Sequence, residues 1–257
     1  MKTLDQYFLE NCCNFRCGIV MPHQKVPHNY CDIPHMHNYS VPEDPGLGWK
    51  TPGGSLSGDE NGALMGAIGE TLEWYCGAVY EFETVRFDDL EGKTGVYYDD
   101  IALFSDEQYA DPGFAWRKPS CQDSSYGKVY SLYDNAEIYV PHELIGLASG
   151  PQAFMPSTST GIAAHTHTYQ ALLSALEEVL ERDALAVTWL NSLGGREIPM
   201  DGAYLEEVHR LGGEVFCLTL PRPGIHSRWL WCAASCCLKA GSGSPWARPA
   251  GKTMPPP

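Results

Sequence analysis

Glutamates three residues apart occur twice in segments that otherwise read as core helices: Glu70 and Glu73 in "AIGETLEWYC", and Glu178 and Glu181 in "ALEEVLERDA". On a helix such spacing puts both carboxylates on one face. If the two helices pack side by side, four carboxylates face one another and repel unless protons or cations fill the space between them. Oxygen-rich sites of this kind suit Mg2+, which in turn holds nucleotide phosphates. The chemistry these residues could do is therefore metal-assisted handling of ATP. For any single pair taken alone, a solvated acidic helix face is the better explanation.

The two helices that must position these groups share one design. A constant offset of 108 residues maps Leu64 to Leu172, Ala67 to Ala175, Ile68 to Leu176, Glu70 to Glu178, Leu72 to Leu180 and Glu73 to Glu181. Apolar residues at Leu64, Ile68, Leu72, Tyr75 and Val79 predict the first helix over about 64–79. Leu172, Leu176, Val179 and Leu180 form the apolar stripe of the second, over about 169–190, with Glu178 and Glu181 on the far side. Asp183 then projects toward the stripe, where an unpaired carboxylate is costly.

Around the helices the sequence reads as α+β. "VRFDDL" and "GVYYDD" are expected as strands or strand edges, "LFSDEQYA" as a short helix, and "KVYSLYDNAEIYVP" as a hairpin turning at "YDNAE". "YLEEVHRLGG" is expected as a further helix with a Gly-Gly stop, followed by "EVFCLTL" as a strand. Residues 1–62 read as an irregular lead-in, with "CGIVM" as a short strand, and 63–220 as the domain proper. The loop "STSTGIAAHTHT" precedes the second glutamate helix. Its Ser157, Thr160 and Gly161 could offer hydroxyls and backbone N–H groups to an anion, and His165 and His167 could approach phosphate or substrate. A polar, low-complexity loop ending in a helix cap would carry the same letters.

Bulk composition narrows the function. A formal net charge of −15 argues against sequence-independent nucleic-acid binding and against an anionic membrane surface. No N-terminal signal and no long apolar segment is present, so a cytoplasmic location is expected, with the ten cysteines reduced. Cys12, Cys13, Cys17, Cys31, His35 and His37 include zinc-ligating types, but the C-x2-C spacing of zinc ribbons is absent, and loop thiols with surface histidines explain them better. The Rossmann and P-loop glycine motifs are absent, so an ATP site would be of another kind. All 32 acidic residues lie at or before Glu214, whereas 221–257 is rich in Pro, Cys and Trp and loses periodicity. Loss of the coding frame near Pro221 is the expectation for this tail.

"GGSLSGDENGALMGAIGETLEWYCG", "LFSDEQYADPGF", "IYVPHELI" and "STSTGIAAHTHTYQALLSALEEVLERDALAVTWLN", in that order, resemble the YcaO family over roughly 15–220. The resemblance is greatest to the azoline-forming cyclodehydratase D component of thiazole/oxazole-modified peptide biosynthesis. It implies a YcaO-type α+β fold with mixed sheets and two similar glutamate-bearing helices. It also implies ATP and Mg2+ as cofactors, with Glu70, Glu73, Glu178 and Glu181 as metal ligands and Arg182 on a phosphate, a role suited to the guanidinium fork.

The implied reaction activates a backbone amide of a ribosomal precursor peptide, so that a Cys, Ser or Thr side chain closes an azoline ring as in bacteriocin maturation. The implied partners are that precursor peptide and a protein that grips its leader, with no nucleic acid and no membrane; a homodimer is compatible. Two residues depart from the family motif S-x-x-E-x-x-E-R: Ala67 stands in place of its Ser and Trp74 in place of its Arg. Further segments of the family's domain, expected beyond the second motif, have no counterpart before the closing "GKTMPPP", so the chain is expected to be truncated or frame-shifted. The rival expectations are another YcaO activity, thioamidation or an accessory role in ribosomal protein methylthiolation, and a non-catalytic remnant.

Overall fold

The computed structural model describes residues 19–27, 36–42, 52–81, 83–101, 103–147, 154–199, 201–210 and 217–220, together with residues 7, 11, 13, 14, 16, 213, 214, 237 and 238. Its first unit is an antiparallel sheet, β1 (Gln24–Lys25), β2 (His37–Val41) and β3 (Gly53–Ser57), with helix α1 (Glu60–Ala78) laid across it. Asp59 caps α1 by accepting the Gly62 N–H at 2.6 Å, which satisfies one of the orphan donors of the first turn. The helix buries Ala63, Ala67 and Ile68 against Val20, Met21, Tyr39 and Val41. Small residues permit the close approach: a Cβ on Gly53 would lie 2.0 Å from the Ala67 carbonyl, and one on Gly66 would lie 2.4 Å from Ser55 Oγ. Part of the segment read as an irregular lead-in thus forms strands. The reading failed because "HNYSV" and "GGSLS" lack the β-branched alternation that marks a strand, and α1 supplies the packing that propensity does not.

The second sheet orders β4 (Thr84–Arg86), β5 (Ser125–Ser131) and β6 (Ala136–Pro141), all antiparallel. β5 and β6 are the expected hairpin, turning over 132–135 with Asn135 in the left-handed region at φ 53°, which asparagine tolerates. "VRFDDL" splits into β4 and a 3-10 turn at Phe87–Leu90, and "GVYYDD" supplies a single parallel bridge from Gly95 to Tyr139 at the β6 edge. Behind this sheet Tyr126 and Phe154 are fully buried. Tyr98 meets the Phe154 ring edge-on at 4.8 Å and donates its hydroxyl to Glu143 at 3.0 Å. Helix α2 (Asp106–Ala110) follows the 3-10 turn at Tyr98–Asp100 and is closed by a Ser105–Gln108 capping box.

Helix α3 (Thr168–Leu190) carries the second glutamate pair. Beyond it come β7 (Arg196–Ile198), α4 (Ala203–Arg210), β8 (Gly213–Glu214), β9 (Cys217–Thr219) and β10 (Cys237–Leu238), with β7 paired to β9 and β8 to β10. Within 221–257 only β10 is described, so the remainder of the tail lies outside the described residues.

The orientation of α3 reverses the ordinary rule for an amphipathic helix. Leu172, Leu176 and Val179, expected to face a core, are 39–44% exposed, with Leu173 and Tyr169 beside them. Asp183 is exposed as well and carries no burial cost. Glu178 and Glu181, expected on the solvated side, are the more covered, with side-chain exposures of 25% and 32%. An isolated helix settles the other way round, so the carboxylate face is held inward by specific partners.

Candidate active site

The partner is a backbone N–H group, that of Gly161, and the first glutamate helix meets its own strand in the same way. On α1, Glu70 accepts the Gly54 N–H at 2.5 Å, tying the helix to strand β3. One turn further on, Glu73 is half-buried, and its carboxyl is pushed up to about 7. Burial is the largest cause, followed by the charge of Glu178 and then that of Glu70; a backbone hydrogen bond from Ala164 partly offsets them. Glu70 and Glu178 thus both lie within electrostatic reach of Glu73, although the two helices are far apart in sequence.

The Ser-Thr-Gly loop runs between those helices. Its Gly161 N–H donates to Glu178 at 3.2 Å. Gly161 sits at φ +88°, a conformation that favours glycine. Ile162 packs onto Gly77 near the end of α1, where a Cβ would come within 2.9 Å of Cδ1. Arg182 leans back along α3 to Glu178 at 3.4 Å and to Glu181 at 3.7 Å. Arg182 thus meets both glutamates of α3, and of the two Glu178 is the one whose charge also acts on Glu73.

The loop hydroxyls make local contacts. Ser157 Oγ donates to the Leu147 carbonyl at 3.0 Å, and the Thr160 hydroxyl pairs with that of Thr158 at 2.9 Å. What this loop turns toward the carboxylates is main chain, at Gly161 and Ala164. His165 and His167 stack at 5.7 Å on the exposed lead into α3, with His165 Nδ1 accepting the His167 N–H at 3.0 Å. Of the six Cys and His residues near the N-terminus, Cys12, Cys17, Cys31 and His35 lie outside the described residues; Cys13 bridges Val20 and His37 belongs to β2. A cavity of about 540 Å³ lined by Phe87, Lys93, Tyr97 and Cys121 lies elsewhere and includes none of Glu70, Glu73, Glu178 and Glu181.

Sequence reasoning missed Gly54 and Ala164, whose contributions are backbone donors invisible in side-chain identity. A signal did exist: the glycine donor precedes its glutamate by 16 residues in the first copy and by 17 in the second. Both copies thus tie a glutamate to a glycine N–H, although Gly54 and Gly161 lie one residue off the register of the glutamates.

Whether the group suits a metal can be tested on its charge and donors. Among the described residues no three His, Cys, Asp or Glu side chains converge closely enough to hold one ion; Glu70 and Glu178 each accept a backbone hydrogen bond instead. The donor set is all carboxylate oxygen, and the charges of Glu178 and Glu70 add to the burial that raises the Glu73 carboxyl. Hard divalent cations such as Mg2+ fit such a set. The N–H groups of Gly161 and Ala164 suit anionic oxygens.

Comparisons with known proteins agree on the fold. The family model described as YcaO cyclodehydratase, ATP- and Mg2+-binding, matches residues 57–223. No curated protein sequence gives a significant match. Among solved structures, the YcaO from Methanopyrus kandleri bound with AMPPCP and Mg2+ aligns with TM-score 0.62 and 17% identity, over 84% of this chain and 53% of that one. A heterocyclase in complex with substrate and cofactor aligns with TM-score 0.67 and 18% identity, over 85% and 34%. The E. coli microcin synthetase McbBCD complex with pro-MccB17 bound aligns with TM-score 0.56 and 15% identity, over 79% and 52%. The chain thus spans about half or less of the length of these solved structures. No helix among the described residues is long and apolar enough to cross a membrane. With the family model matching well over half of its length, on top of the fold and the paired glutamate helices, this chain belongs to the YcaO family.

Proposed function

We propose that Glu70, Glu73 and Glu178, with Glu181 and Arg182 beside them, hold Mg2+ and ATP, and that the chain serves an ATP-dependent peptide cyclodehydratase. The observation that carries this reading is the half-buried Glu73, raised to about 7 between two other carboxylates. A self-repelling cluster in a marginally stable fold is costly, and its use lies in being filled by a cation. ATP, when bound, supplies the phosphoryl group that takes the oxygen off a backbone amide attacked by a neighbouring Cys, Ser or Thr side chain.

The chain's own residues then have separate tasks. The carboxylates hold cations that neutralise phosphate charge, and Arg182 supplies a fixed positive fork near Glu178. The N–H groups of Gly161 and Ala164 present donors toward the same space, and Ser157 and Thr160 would join them on binding by giving up their local hydrogen bonds. The substrate on this reading is a ribosomal precursor peptide, brought by a partner protein that grips its leader, in the cytoplasm. The exposed leucine stripe of α3 is compatible with a homodimer.

Equilibrium binding of Mg-ATP to the parent chain and to Glu178→Ala tests the reading. The parent is expected to bind and the variant to lose at least about tenfold in affinity, the scale of a charge-assisted contact. A parent chain that does not bind Mg-ATP sinks it. That result would favour a fold retained without catalysis, for which Trp74, at the motif's arginine position, is the supporting residue.

A further inference from the structure

Among the described residues no strand pairs with the outer edge of β3, beside Glu70. In the β2–β3 ladder Tyr39 pairs with Ser55, Val41 with Gly53 and His37 with Ser57. On β2's other side, Val26 of the neighbouring chain segment donates to the Asn38 carbonyl at 2.9 Å. Hydrogen-bonding directions alternate along a strand, so Asn38 and Ser40 turn to β1 while Tyr39 and its alternates turn to β3. On β3 it follows that Gly53, Ser55 and Ser57 face β2, and that the N–H and C=O groups of Gly54 and Leu56 face outward.

The Gly54 N–H confirms the direction, because its acceptor is Glu70 rather than a strand. Among the described residues none bonds the Leu56 N–H, the Leu56 C=O or the Gly54 C=O. Both residues are exposed. An exposed edge of this kind is normally covered or blocked by charge, proline or a bulge; here a carboxylate closes one end, and among the described residues nothing pairs with the rest.

We infer that this edge receives the substrate peptide as an added antiparallel strand, an assignment that rests on the peptide-cyclodehydratase reading. The occupant must be a backbone, since what the edge offers is one alternating row of main-chain donors and acceptors. An added strand runs about 4.8 Å from β3. Glu70 Oε2, 2.5 Å from the Gly54 nitrogen, stands on that line.

The peptide is therefore led toward the carboxylate pair of α1, where its amide would meet the nucleotide. Gly54, with no side chain, leaves room for any residue laid beside it, whereas Leu56 offers an apolar contact. Glu70 and the peptide compete for the Gly54 N–H. A cation that claims the Glu70 carboxylate frees that donor, so peptide capture follows metal binding.

Hydrogen exchange at single amides in the full chain tests this directly, using a short synthetic Gly/Ser/Thr peptide as probe, with Mg2+ alone and with Mg2+ plus AMPPCP. With both present, the peptide should slow exchange at Leu56 and Gly54. Leu56→Pro removes an outward N–H without touching the β2 ladder, as prolines on edge strands do. It should weaken peptide binding roughly tenfold, the worth of one or two hydrogen bonds, while AMPPCP binding is unchanged and Leu56→Ala stays near the parent.

Unaltered exchange at Leu56, or equal peptide affinity in Leu56→Pro and the parent, overturns the inference even when AMPPCP binds. A parent chain that fails to bind AMPPCP instead refutes the nucleotide reading.

Discussion

The Glu70 carboxylate accepts the backbone N–H of Gly54 at 2.5 Å, joining the first glutamate helix to the strand on which it packs. The later copy repeats this with Glu178 and Gly161 at 3.2 Å. In both, a glycine amide holds a carboxylate where a cation could displace it. Glu70→Gln keeps an oxygen acceptor for Gly54 and removes the charge. Its unfolding midpoint should stay close to that of the parent, while its Mg2+ affinity falls about tenfold. Parallel thermal melts and Mg2+ titrations check this, and unchanged Mg2+ affinity counts against Glu70 as a ligand.

Glu73 sets a pH dependence whose sign is fixed. Its folded-state value, about 7, lies above the ordinary 4.5, so the folded chain prefers the protonated carboxyl. Ionising it costs stability progressively as pH rises from about 4.5 to about 7, and the full cost is present above that. Glu73→Gln should accordingly raise the melting temperature above about pH 7 and give no advantage below about pH 4.5. Mg2+ requires the ionised form, so binding by the parent should weaken as pH falls below about 7 and should release protons. Calorimetry in buffers of different ionisation enthalpy reads that release.

Two glycine-to-alanine changes should act in opposite directions. Gly161 sits at φ +88°, and a Cβ there would lie 3.0 Å from Val179 Cγ2; Gly161→Ala should cost about 1–2 kcal/mol. Gly69 lies within α1 with open space around its missing Cβ. Gly69→Ala should stabilise by about 0.5–1 kcal/mol through helix propensity. Urea denaturation of both variants against the parent decides the signs.

Matched truncations on the duplicated helices should differ sharply. Ile68, at 1% exposure, belongs to the core of the first sheet, so Ile68→Ala should cost about 2–5 kcal/mol. Leu176, its counterpart in the repeat, is 44% exposed, and Leu176→Ala should cost less than about 1 kcal/mol. Equal losses in chemical denaturation would mean that the α3 stripe is covered in solution.

How much was legible in sequence follows the physics of each feature. Helix periodicity is local, so both glutamate helices, the β5–β6 hairpin and the loop before α3 could be read within a few residues. The duplicated E-x-x-E pairs needed only a count, and the family resemblance rested on the same stretches. Strands β2 and β3 were missed because glycine, serine and asparagine form a ladder there only with α1 packed over it.

By itself the sequence determined which residues carry charge, that they recur at one offset, and that two helices present them. Tertiary structure decided which way α3 faces, because that depends on partners distant in the chain. It turned Glu178 toward Gly161 and Glu73 and left Leu172 and Leu176 outside. It also chose backbone amides, rather than the hydroxyls of Ser157 and Thr160, as the groups that meet the carboxylates. A peptide N–H is present at every residue except proline, and only the fold aims it.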